Sequence, residues 1–106
     1  MTRMNKVQRF FFPSLNRHVR VGLHEAAAAI QEAHASVQAL QNRGVREPVL
    51  EALLPPSARA DDRPTWVRVG SSTLTLRIPS EHGWLESAPY GIDTLLCDLG
   101  EGLLPT

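Results

Sequence analysis

The chain has 106 residues, 42% of them apolar and 21% charged, with a formal net charge of zero. That length supports one modest core rather than two, and the composition is that of a folded globular domain, which excludes a disordered tail. No run approaches the roughly 18 apolar residues of a membrane-spanning helix, so no membrane partner is expected.

In chain order, MTRMNKVQRFFFPS comes first. It holds only three consecutive phenylalanines where a secretory leader needs an apolar stretch of about 7 to 15 residues, and a cytoplasmic location is therefore expected. Pro13 disfavours helix at Phe12, so residues 5–12 read as a strand or docking arm, with 1–13 as an extended arm on the single domain 1–106. The next stretch supports two readings. Ser14 is a fair N-cap for a helix carrying Leu15 and Val19, whereas HVRVG alternates like a strand and Gly22 costs about 1 kcal/mol inside a helix.

From Leu23 onward the pattern is helical. Leu23, Ala26, Ile30, Ala33, Val37 and Leu40 recur at spacings of three and four, and Gly44 supplies a stop. This face is thin, since Ala26 and Ala33 alternate with larger residues and Ala27, Ala28 and Ala29 flank them. Small residues let another helix or a sheet approach closely, and the neighbour can be this chain's own sheet or a second chain.

After Gly44, REPVLEALLPPS predicts a short helix, with Pro48 in its first turn, Val49, Leu50, Leu53 and Leu54 buried, and Pro55 and Pro56 ending it. SARADDRPT has no apolar anchor and reads as an exposed loop. TWVRVGSSTLTLRIP is two alternating runs about a turn, a β-hairpin. Val67, Val69, Leu74, Leu76 and Ile78 share one face and Trp66, Arg68, Thr73, Thr75 and Arg77 the other. SEHGWLESAPYG reads as a loop. IDTLLCDLGEGLL places Ile92, Leu95, Leu96 and Leu99 at helical spacing. The order predicts an α+β domain: one long helix in the N-terminal half, a short helix, a β-hairpin in a small antiparallel sheet, and a short C-terminal helix.

Little in the chain points to catalysis. His18, His24, His34 and His82 are the candidate ligands or bases, but His24 and His34 lie about 80° out of phase around a helix and no metal-ligand spacing occurs, so no metal site is expected. The single cysteine, Cys97, excludes an intramolecular disulfide, which fits a reducing compartment. Its place among leucines reads as core rather than nucleophile. Asp61 and Asp62 are adjacent in a loop, and Ser71 and Ser72 are turn residues without a nucleophile-elbow frame. No phosphate-binding or dinucleotide motif is present. Neither enzyme activity nor a cofactor is expected.

Two classes of function remain. The first is a small regulatory or adaptor protein that binds another protein, for example by blocking a surface that a larger regulator, such as one of transcription, needs for dimerisation. Consecutive phenylalanines on a strand face opposite sides, so they ask for two covers. Phe10, Phe11, Phe12, Leu23, Ala26, Ile30, Ala33, Val37 and Leu40 are the candidate interface residues, toward a second copy of this chain as a homodimer or toward another protein. The alternative follows from the sorting of charge: residues 1–24 hold five basic side chains and no acid, and residues 81–106 hold five acids and no Lys or Arg. Arg3, Lys6, Arg9, Arg17 and Arg20, interleaved with phenylalanines, are the candidate nucleic-acid contacts, against the near-neutral pI of 6.9.

Overall fold

The computed structural model describes residues 7–95. Strands β1 (Val7–Phe12) and β2 (Arg17–Gly22) form an antiparallel hairpin. Of the two readings of residues 14–22, the strand is the one found. Asn16, with φ 51°, takes the left-handed position of the turn, a conformation that asparagine tolerates. Gly22 leads straight into α1 (Leu23–Asn42), where the period of two gives way to one near four. Ala26, Ala27, Ile30, Ala33 and Val37 are buried along one stripe of that helix. It ends as expected: Gly44 has φ 92°, its N–H donates to the Gln41 carbonyl, and the Val45 N–H donates to that of Leu40, a Schellman closure.

The remaining strands are β3 (Leu50–Leu53), β4 (Trp66–Val69), β5 (Thr73–Ser80), β6 (Gly83–Glu86) and β7 (Tyr90–Gly91). The sheet order is β3-β4-β5-β6, all antiparallel, with β7 also on β5. Helix α1 lies over β3 and β4. The β1–β2 hairpin joins the same core, its Phe10 ring 5.5 Å from that of Tyr90.

Three expectations are corrected. The short helix after Gly44 is instead the edge strand β3. Glu47, at φ 47° and followed by Pro48, interrupts helical geometry, and Leu50 and Ala52 fall into register with Val69 and Val67. A short apolar run satisfies either period, so its partner decides. Leu54 is buried as expected, but Val49 and Leu53 are exposed.

The loop 57–65 is anchored. It forms 3-10 turns at Pro56–Ala58 and Ala60–Asp62, and Ala58, Ala60 and Thr65 are buried. The Thr65 hydroxyl ties the turns together: its oxygen accepts from the Ala60 N–H at 2.8 Å while its O–H donates to the Arg63 carbonyl at 2.9 Å.

The stretch 80–91 holds strands β6 and β7 on one edge of β5. Arg77 pairs with Glu86, but Leu74 pairs with Tyr90, so the second strand gains one residue between them, a β-bulge. Ser87 anchors it, its N–H donating to the Leu76 carbonyl and its hydroxyl accepting from the Leu76 N–H at 2.8 Å. The bulge frees the Ala88 N–H, which donates to the Phe11 carbonyl at 2.8 Å and ties the hairpin to the sheet. The expected C-terminal helix begins at 92–95, with Ile92 and Leu95 buried. Leu96, Cys97 and Leu99 lie outside the described residues, as do Arg3 and Lys6 of the arm.

Candidate functional site

Strand alternation sends Val67, Val69, Leu74, Leu76 and Ile78 into the core, all buried. The same alternation places Trp66, Arg68, Thr73, Thr75 and Arg77 on the opposite face of the sheet, as the sequence predicts. In register with them stand Glu51 and Leu53 of β3 and Trp84 and Glu86 of β6. On this second face Glu51, Leu53, Arg68, Thr73, Trp84 and Glu86 are exposed.

Arg77 is its centre. The guanidinium lies 3.5 Å from the Glu51 carboxylate on one side and 3.8 Å from that of Glu86 on the other. The Trp84 ring stacks 5.4 Å from the guanidinium carbon, within cation–π range. The Thr75 hydroxyl donates to Glu86 at 3.1 Å. These contacts flank the guanidinium on three sides, while its Nε is buried without a hydrogen-bond partner. Two large apolar side chains stand exposed among these charges, Trp84 at 50% and Leu53 at 46%. Trp66, directly opposite Arg77 on the neighbouring strand, is partly buried. A shallow depression bounded by Val49, Arg68, Thr75 and Glu86 adjoins this cluster. Aromatic side chains and arginine in a patch with a charged and hydroxylic rim make up the composition enriched where proteins meet.

The residues expected to form an interface are mostly committed elsewhere. Phe10, Phe12, Ala26, Ile30, Ala33 and Val37 are buried in this chain's own core. Phe10 and Phe12 point inward together, so one of the two covers is this chain's own core. Phe11, on the other side of the strand, is partly buried and meets His18 edge-on at 5.2 Å. Leu40 is partly buried near the end of α1, and Leu23 opens that helix.

The basic residues of the hairpin divide. Arg9 and Arg20 are direct cross-strand partners and both are exposed. Arg17 pairs with Phe12, which places it on the opposite face. Reading residue types along the chain finds the cations but not this separation, which needs the register.

Three of the four histidines lie on separate elements, His18 on the hairpin, His34 on α1 and His82 in the β5–β6 turn. Among the described residues no group of three His, Cys, Asp or Glu side chains could hold a metal ion. Ser71 and Ser72 are exposed in the β4–β5 turn. No helix of the described residues is long and apolar enough to cross a membrane.

Glu51, Leu53, Trp84 and Glu86 were not singled out together by the sequence. Their neighbours Trp66 and Arg77 carried the available signal, an outward row on a predicted hairpin. Comparison of the chain with protein-family models, with curated proteins and with solved structures found no match.

Proposed function

We propose that this protein is a small regulatory or adaptor protein that acts by stoichiometric binding to another protein, and that the uncovered face of the sheet receives the partner. The observation that carries this reading is the exposure of Trp84 and Leu53 around an arginine flanked by Glu51 and Glu86 and stacked on Trp84. A side chain fixed before binding loses little further entropy when a partner covers it, and aromatic residues with arginine dominate the energetics of interfaces. Blocking a surface that a larger regulator needs for self-association is the mode of action that suits a domain of this size.

The test is capture of a partner by the tagged protein from its native cell, in parallel with a Trp84→Ala, Leu53→Asp double variant. The reading expects one near-stoichiometric protein with the wild type and at least a tenfold loss with the variant, at unchanged melting temperature. Equal capture by a folded variant would remove this face from the interaction.

A further inference from the structure

The outer face of the β1–β2 hairpin carries an unusual pairing. The Phe11 carbonyl accepts its hydrogen bond from Ala88, so at Phe11 the main chain of β1 points away from β2. Phe11 with His18 and, two residues along, Arg9 with Arg20 are therefore two of the non-hydrogen-bonded pairs of the ladder, the positions where opposing side chains come closest. Their β-carbons stand about 4.5 to 5.5 Å apart, and like charges at that position destabilise a hairpin. Among the described residues neither arginine has an ion-pair partner. Arg77 shows what this chain does with an arginine on a strand elsewhere: it sets one glutamate directly opposite and a second within reach. On the hairpin the corresponding place opposite Arg9 holds another arginine.

We propose that this face binds single-stranded nucleic acid, with Arg9 and Arg20 on successive backbone phosphates and the Phe11–His18 pair stacking a base beside them. The repulsion between two guanidiniums is relieved when each pairs with a phosphate of the same strand, donating to its oxygens in a charge-assisted fork. The aromatic pair adjoins them on the same surface of the same two strands. A phosphate and its base are joined at that scale. A ligand that carries both fits the two rows at once, whereas an acidic peptide uses only the arginines. The face is distinct from the surface around Arg77, so the two proposals stand or fall separately.

The test uses the whole chain and a fluorescently labelled oligo-dT of about 12 nucleotides, followed by anisotropy. Binding through two phosphates predicts an affinity that falls about sevenfold between roughly 50 and 200 mM salt, from a slope near −0.7 per phosphate on a single strand. Arg20→Glu places a carboxylate opposite Arg9. It is expected to raise the melting temperature by a few degrees and to weaken binding at least tenfold, a combination that loss of folding cannot produce. Phe11→Leu keeps an apolar side chain without a ring to stack on, and should weaken binding about fivefold or more. An abasic oligonucleotide of the same length should bind as weakly as oligo-dT binds the Phe11→Leu variant. No salt-sensitive binding by the wild type would overturn the proposal. So would undiminished binding by a folded Arg20→Glu variant, or abasic binding equal to that of oligo-dT.

Discussion

The two faces of the sheet are made by the same strands and the same alternation, yet they are held by different physics. The inner face is apolar, closed by α1 and the hairpin, and stabilised by removal of that surface from water. The outer face keeps its order through one arginine and its neighbours, at the boundary with solvent, where ion pairs contribute little to stability. Each face therefore governs a different property. Substitutions on the inner face should act on folding, and those on the outer face on what the protein touches.

The largest break in that division should come from Leu76, buried at the centre of β5. Leu76→Ala leaves a cavity in the core and is expected to cost about 2 to 5 kcal/mol, read as the denaturant midpoint at unchanged slope. A cost below about 1 kcal/mol would mean that the inner face packs loosely.

Ala33 tests the thin stripe of α1. It is buried where the helix lies over β3, so Ala33→Leu should overpack that contact and cost about 1 to 3 kcal/mol. A lowered melting temperature of the isolated chain is the expected result. Unchanged melting would return this residue to the surface.

Ser87 probes the bulge that joins hairpin and sheet. Ser87→Ala strips the Leu76 N–H of its acceptor in a buried position, which should cost about 1 to 3 kcal/mol. Hydrogen exchange at the Ala88 amide should rise with it, because the bond to Phe11 depends on the same bulge.

The smallest effects belong to the outer face. Arg77→Met removes two partly exposed ion pairs while keeping the aliphatic stem, and should change stability by about 1 kcal/mol or less. Trp84→Ala should fall within about 0.5 kcal/mol, since half of that side chain already faces water. Thermal melting of both variants beside wild type checks the division. A shift in either comparable to that of Leu76→Ala would show the outer face to be part of the fold's support.

Elements with a long, unambiguous period were legible from the chain alone. Twenty residues of helix with apolar positions at three and four, and two alternating runs about Gly70, Ser71 and Ser72, form as read, with the inward and outward residues of the hairpin correctly divided. The candidate site was legible only in part. Trp66 and Arg77 were readable as outward residues, but the residues that complete the cluster come from stretches expected to be a helix and a loop.

What the amino-acid order determined by itself is local: the period of each long segment, the stop at Gly44, and the division of each strand of the hairpin into two faces. Those features depend on neighbours a few residues away, where backbone sterics and side-chain spacing decide. Pairing at a distance was decided only by the tertiary structure. LEAL became a strand because Val67 and Val69 offered it a register, and GWLE because β5 had a free edge. The same fold buried the alanines of SARA in the core and set Arg9 against Arg20. Short segments carry too few residues for their own period to outweigh such partners, so their conformation follows from whichever distant surface satisfies their hydrogen bonds and covers their apolar side.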